Sequence, residues 1–592
     1  MALITAASLL AVIPPRFIGA IVDDIDRGAP YGAILLLALG MIGVAAFEAV
    51  FRGLGRFQVI DVSRKVEYEM RNDLLAHLQR MHLGYFQQQR IGDLMARLTN
   101  DLTAVRQMYG FGILMATGTT ATLVFSVVSM LGVSVKLTAI TMLLMPVASG
   151  AFWAIGRRVS RRFEKLQAQF GELSTKAQEN FSGIRVVKAY SQEEAEIRSF
   201  AEANREYVRR AVSLARFMGL IWPAMAFIIG VAVLATLYVG GIDAIDREMS
   251  IGDLVEFVAY LYLLQWPMIA FGEITNIAQQ GWASLGRLQQ IWNARAAIAD
   301  PLDPVPAQIR GEVEMRGVTF AYGGTIVLRD VSFRVPPGGS LAIVGPTGSG
   351  KSTLVNLIPR LFDVRQGEVL IDGVNVKRYP LRTLRRAVGY VPQETFLFSL
   401  PMRENVGFGS EEDLGRERLE WAADVAQLNK DVEDFPARYD TMIGERGVTL
   451  SGGQKQRTAI ARAVAKDPRI LILDDALSAV DTYTESEILR RLRGVMRERT
   501  SIVVAHRIST VKDADEILVL DDGRVAERGT HLELLELNGL YAQMYRRPLL
   551  EEELEVDVEQ AEHERRVGPR AEPDPGPGLP RMPREGGLTE GP

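Results

Sequence analysis

Apolar and polar positions follow two different patterns along this chain. In the first 295 residues the apolar runs are long and nearly unbroken. A membrane span needs about 20 mostly apolar residues. Windows at roughly 2–22, 31–51, 108–133, 137–156, 217–241 and 251–271 meet that requirement. Helices apolar all round have no place in a soluble core of this size. The pattern therefore predicts an all-α six-helix transmembrane domain over 1–299. From 311 to 545, short apolar strands alternate with glycine turns and charged helices, as in a soluble α/β domain. A proline-containing break, Asp300 to Pro306, marks a linker over 300–310. The tail, 546–592, is acidic and then rich in proline and glycine. It offers no periodic apolar face, so disorder is predicted from about Val567.

The connections between spans are lopsided. Asp23-Asp24-Ile25-Asp26-Arg27, a few residues around Lys136, and Asp243 to Glu248 make three short ones. The stretches 52–107 and 157–216 are long, polar and poor in helix breakers. Each is predicted to continue a span outward, turn and return. The turns fall near Gly84-Tyr85-Phe86 to Ile91-Gly92-Asp93 and near Phe181-Ser182-Gly183-Ile184. These stretches hold Arg64, Lys65, Arg71, Arg157, Arg158, Arg161, Arg162 and Lys165, and the positive-inside bias puts that side in the cytoplasm with both termini. Glu48, Glu256 and Glu273 read either as pore-facing or snorkelling carboxylates or as contacts for a cationic amphiphile.

Composition adds exclusions. The chain has 592 residues, too many for one soluble core, and its 48% hydrophobic content averages two unlike halves. A net charge of −5 leaves no footprint for nucleic acid. Cysteine is absent, which removes disulfides, thiol catalysis, cysteine-ligated metals and a fused cysteine peptidase. The stretch Ala2 to Val22 lacks a basic n-region and leads into further spans, so it does not read as a cleavable signal. The chain begins abruptly inside that span, and the natural start is expected upstream.

The chemistry lies in the second half. Leu341-Ala342-Ile343-Val344 reads as a buried strand, followed by Gly345-Pro346-Thr347-Gly348-Ser349-Gly350-Lys351-Ser352-Thr353 and a helix predicted to start near Leu354. This is G-x-x-x-x-G-K-[ST] in its strand–loop–helix context. Glycines let backbone N–H groups close around phosphate, and a helix N-terminus adds positive potential. Lys351 reaches β- and γ-oxygens, and Ser352 offers a hydroxyl to Mg²⁺. A second apolar strand, Ile470 to Leu473, ends in Asp474-Asp475. Asp474 matches the Walker B carboxylate of the Mg²⁺ shell, and Asp475 stands where the attacking water is positioned or deprotonated.

Between these motifs lies Leu450-Ser451-Gly452-Gly453-Gln454, followed by Lys455-Gln456-Arg457. With it, residues 311–545 closely resemble ABC transporter cassettes, and residues 1–300 resemble the membrane domain of ABC multidrug and lipid exporters. The resemblance covers nearly everything but the tail. It implies a P-loop ATP-binding cassette that uses ATP and Mg²⁺ and powers export of a hydrophobic or amphipathic substrate. It also implies that Ser451, Gly452, Gly453 and Gln454 serve the nucleotide held by a second cassette. Further positions match in order. Tyr322 corresponds to the adenine-stacking aromatic, and Gln393 to the Q-loop that touches Mg²⁺ and the membrane domain. Asp481, in Ser478-Ala479-Val480-Asp481, corresponds to the D-loop, and His506 to the switch histidine. Gly444-Glu445-Arg446-Gly447 resembles a stretch that senses the membrane domain, and Ile184 to Tyr190 the second coupling helix.

One position departs from the family. Its catalytic glutamate is Asp475 here, a carboxylate shorter by one methylene, while signature and switch histidine are intact. That pattern suits the weak-site subunit of a pair. A heterodimer with a second half-transporter is therefore expected over a homodimer, in the plasma membrane, multi-pass, with the cassette in the cytoplasm. The six spans exclude a soluble translation- or repair-type ATPase, and the fusion order disfavours an importer. A lipid flippase or an ATP-gated channel on the same scaffold is the alternative.

Overall fold

The computed structural model describes residues 1–305, 308–410, 414–444, 450–505 and 507–546, without the side chains of 145–149, 151–153, 222, 225, 482 and 509. His506, the Glu445-Arg446-Gly447 part of the sensing stretch and the tail from 547 on lie outside the described residues. A helical membrane domain precedes an α/β nucleotide-binding domain. The compact units are Met1–Met81 with Tyr85–Arg295, and His82–Gly84 with the chain from Ala296 on.

Among the described residues five helices are long and apolar enough to cross a membrane: Ala2–Asp26, Tyr31–Gln79, Ile91–Val133, Ala226–Ile245 and Ile251–Trp292. The window at about 137–156 falls in the helix Val135–Ser182, whose first turns, Val135–Leu144, are a shorter apolar piece. Tyr31–Gln79 is the most apolar of the five. Its most apolar window has mean hydropathy 2.4 and 0% of its residues buried. A soluble domain would not leave such a surface in water.

Local signals account for where these helices begin and break. The first apolar stretch is two helices, Ala2–Ala11 and Pro14–Asp26. Pro14 and Pro15 have no N–H to give, so the ladder stops and restarts there. Val12, at the break, offers its carbonyl to Tyr260 Oη at 2.9 Å. Ser134 accepts from Leu137 N to open Val135–Ser182, and Ser250 and Asp253 form a capping box that opens Ile251–Trp292. The first long polar stretch turns after Gln79 into a short helix, Leu83–Gln88, and the second turns at Gly183 into Ile184–Ala189. Of the three acids near the spans, Glu48 pairs with Arg52 four residues on, and Glu256 pairs with Arg16 at 3.9 Å.

The α/β unit holds two sheets. In the four-stranded sheet, strands β1 (Val313–Tyr322), β2 (Thr325–Val335), β4 (Gln366–Ile371) and β5 (Val374–Asn375) run antiparallel in the order β2-β1-β4-β5. Gly323 and Gly324, at φ +52° and +101°, make the two-residue turn between β1 and β2, where side chains would be strained. The six-stranded sheet has β3 (Ser340–Val344), β6 (Val388–Val391), β7 (Ile470–Asp474), β8 (Thr500–Val504), β9 (Glu516–Asp521) and β10 (Arg524–Gly529), ordered β10-β9-β3-β8-β7-β6. All its pairings are parallel except β10 on β9. The strand alternation feeds two cores. Leu341, Ile343, Ile470 and Ile472 face one, and Ala342, Val344, Leu471 and Leu473 the other. Parallel register brings the carboxyl ends of β3, β8 and β7 together, with Asp474 opposite Val504, and crevices at such ends take ligands.

Candidate active site

The loop after β3 runs into a helix assigned Lys351–Asn356, so the helix starts three residues before the predicted Leu354. Gly350, at φ +99°, closes the loop, and a Cβ there would lie 2.8 Å from Leu328 Cδ2. The helix follows directly on this left-handed residue, a conformation glycine adopts without strain. Lys351 is buried in the first turn, and its Nζ donates to the carbonyls of Gly345 and Pro346, both at 2.8 Å. Ser352 Oγ donates to Asp474 Oδ1 at 3.0 Å. Asp474 ends β7, 2% exposed, and burial raises its carboxyl above the ordinary value. Burial likewise lowers the Lys351 ammonium. The two charges offset each other in part, but for each the cost of burial outweighs that attraction.

These groups wall a cavity of about 200 Å³. The loop and its helix give Thr347, Gly348, Gly350, Lys351, Ser352 and Thr353; Gln393 enters from the segment after β6; β7 and the following residue give Asp474 and Asp475. Val327 and Val504 complete the lining; Val504 precedes the switch histidine by two residues, and no motif pointed to Val327. Asp475 has φ +48°, which an aspartate tolerates better than most side chains, and its N–H donates to Val504 O at 2.9 Å.

Other expected residues sit elsewhere. Tyr322 packs edge-to-face on Phe320 and Phe362, with centroids 4.7 and 5.2 Å away, and does not line the cavity. Ser451, Gly452, Gly453 and Gln454 are also absent from its walls. They start the helix Gly452–Ala465 with a capping box: Ser451 Oγ accepts from Gln454 N, and Gln454 Oε1 accepts from Ser451 N. Asp481 Oδ1 accepts from Thr484 N and caps Thr482–Met496.

Comparison with known proteins gives the family. The ABC transporter transmembrane region matches residues 1–268, and the ABC transporter family model matches residues 328–478. A probable multidrug resistance ABC transporter ATP-binding/permease protein of Bacillus subtilis, YheI, is 36% identical over 93% of this chain and 94% of its own. The chain belongs to the ABC transporter family. The multidrug resistance-like ATP-binding protein MdlA of Escherichia coli is 35% identical over 95% of this chain and 96% of its own. The ATP-dependent lipid A-core flippase of Pseudomonas aeruginosa is 34% identical over 88% of this chain and 85% of its own. Among solved structures, a bacterial Atm1-family ABC exporter with ATP bound superposes with TM-score 0.77 at 30% identity, covering 92% of this chain and 97% of that one.

An ABC transporter's cassette binds ATP and couples it to transport across a membrane. The oxygen donors in the cavity fit Mg²⁺ as well. Ser352 hydroxyl, Asp474 carboxylate and Gln393 amide are the hard ligands that ion takes, and it is commonly held by one or two carboxylates plus substrate phosphates. No group of three or more His, Cys, Asp or Glu side chains converges among the described residues.

A second cavity, about 100 Å³, lies behind Asp475. Glu485, 4% exposed, projects there from Thr482–Met496, accepts from Thr510 Oγ1 at 2.8 Å, and pairs with Arg507. Nothing in its spacing singled out Glu485, because its partners lie more than 20 residues on.

Proposed function

We propose that the chain is one half of an ATP-driven exporter, working head to tail with a second half-transporter. Each ATP would lie between one chain's phosphate loop and the other chain's signature. The observation that supports this is the separation within a single chain: the cavity of Lys351, Ser352, Asp474 and Asp475 has no wall from Ser451 to Gln454. Gln454 N–H is taken by the Ser451 cap, but the N–H groups of Gly452 and Gly453 ahead of it have no intrahelical acceptor and can receive a phosphate from outside the chain. In this reading Lys351 and the loop amides bind the phosphates of ATP, and Ser352, Asp474 and Gln393 hold Mg²⁺. Asp475 orients water, and His506 contacts the γ-phosphate. Tyr322 stacks on adenine, and Asp481 belongs to the loop between the two sites.

The partner is preferably a different chain. Asp475 is one methylene shorter than the family's glutamate, so a homodimer would carry two slow sites. A heterodimer needs only one good site, completed by this chain's Ser451. The substrate class is hydrophobic or amphipathic, and the name of the Pseudomonas aeruginosa relative favours lipid as a second reading beside drugs. Basic residues on the long polar helices orient the cassette and both termini to the cytoplasm of the plasma membrane. The test is steady-state ATPase of the purified complex. The asymmetric reading expects Ser451→Ala with Gly452→Val to cost far more than Asp475→Ala. The opposite order, or a chain that purifies alone as a fully active dimer, ends it. Uptake of dyes, drugs and lipids by reconstituted vesicles would separate the substrate readings.

A further inference from the structure

Gln456 sits on the helix that Ser451 caps, and it is 5% exposed. A buried amide is costly unless its hydrogen bonds are made. Gln456 makes them all to one loop. Its Oε1 accepts from Ala479 N at 2.9 Å, and its Nε2 donates to Ser478 Oγ at 3.0 Å and approaches the Asp475 carbonyl at 3.5 Å. Ser478 Oγ donates onward to that same carbonyl at 3.0 Å. A backbone N–H can only donate, so Ala479 fixes which way the amide faces. The two backbones also touch. A Cβ on Gly453 would come within 3.0 Å of the Ala479 carbonyl, and one on Gly452 within 3.3 Å of Ala479 Cβ. The loop so held starts at Asp475 and ends at Asp481, which caps the next helix. Gln456 itself does not line the phosphate cavity.

We propose that Gln456 is a positioning residue for ATP hydrolysis, locking the signature helix to the loop that starts at Asp475 so that Ser451 and Asp475 of one chain move as one body. The proposal rests on the head-to-tail reading, in which those two residues serve different ATP molecules. The lock then ties the closing of a signature on the partner's nucleotide to the aim of the carboxylate at the chain's own.

The experiment uses the full-length purified complex. ATPase rate is measured against ATP concentration, and amide hydrogen exchange is followed in peptides covering 475–481, for Gln456→Ala, Gln456→Glu and Ser478→Ala. For Gln456→Ala the expected result is a fall in kcat of about tenfold, the scale of one lost buried hydrogen bond. KM for ATP should stay within about twofold, and exchange at 475–481 should rise. Gln456→Glu keeps the acceptor for Ala479 N–H but loses the donor to Ser478 Oγ, and should recover a measurable part of the loss. Ser478→Ala should fall between. A raised KM with unchanged kcat overturns the proposal, as does faster exchange with wild-type kcat or a kcat loss with unchanged exchange. If Gln456→Ala does not fold, the other two variants decide it, and wild-type kcat in both overturns it. Failure of the head-to-tail reading shows separately, as full ATPase activity when Ser451 and Gly452 are altered.

Discussion

The chain has two glycine-rich helix starts, and they are built differently. Gly345 to Gly350 leads into Lys351 inside a walled cavity, with a buried lysine and a buried carboxylate that accepts from the Ser352 hydroxyl. Ser451 to Gly453 leads into a helix whose first residue is exposed and whose capping hydroxyl is spent on its own Gln454. Both present N–H groups at a helix N-terminus. The first has burial, a cation and ligand-type oxygens around it, and in the proposed reading one chain supplies all of these to the phosphate. The second lies outside that cavity, which is why we propose that it acts on a phosphate that something else holds.

The largest expected effect breaks the second start. Ser451→Ala with Gly452→Val should lower ATPase of the complex by about 100-fold, the scale of one lost donor to a transferring phosphate. Nucleotide affinity of this chain's own cavity should stay within about twofold, and a fall there would erase the distinction. Breaking the first start gives the converse. Lys351→Ala should weaken nucleotide binding about 10- to 100-fold, by loss of charge-assisted bonds. Titration with a fluorescent analogue reads this, and unchanged binding contradicts the phosphate-loop assignment.

A smaller effect tests the weak carboxylate: Asp475→Ala should cost only about threefold in ATPase, well under the single-donor scale. The smallest concerns the buried charge at Asp474. Burial raises its folded-state pKa, so the folded chain holds that proton better than the unfolded one. Wild-type stability from this group is present at low pH and is lost as pH rises through the folded value. Asp474→Asn should therefore raise the apparent Tm of the nucleotide-free protein near neutral pH by about 2–4 °C. The gain should vanish below about pH 4, and Mg-ATP should stabilise the variant less than wild type. Thermal melts across pH check both.

Much of this was legible because the signals are contiguous. Lys351-Ser352, Asp474-Asp475 and Ser451 to Gln454 stand in unbroken motifs, and apolar windows announce spans without knowledge of neighbours. Two boundaries shifted for local reasons of another kind. Proline geometry at Pro14-Pro15 broke the first apolar stretch, and the loop's helix starts at Lys351, directly after the left-handed Gly350. Val327 and Glu485 escaped notice, and Gln456 stood only as part of the run after the signature, because each acts on residues distant along the chain. Gln456 reaches a loop about 20 residues on, and Glu485 holds Arg507 and Thr510 from another helix.

By itself the sequence determined the two-domain order, the helical membrane half, the α/β half and the phosphate-binding chemistry. Each of these follows from hydropathy over one turn, one strand or one motif, where the interacting groups are near neighbours. Only the tertiary structure decided which motif residues share a cavity. Parallel pairing of β3, β8 and β7 brings Ser352 to within 3.0 Å of Asp474 across 122 residues, while the signature helix starts outside that cavity. Strand order and the close approach of glycine-bearing backbones set those distances. They depend on which faces pack together, which no local window of the sequence carries.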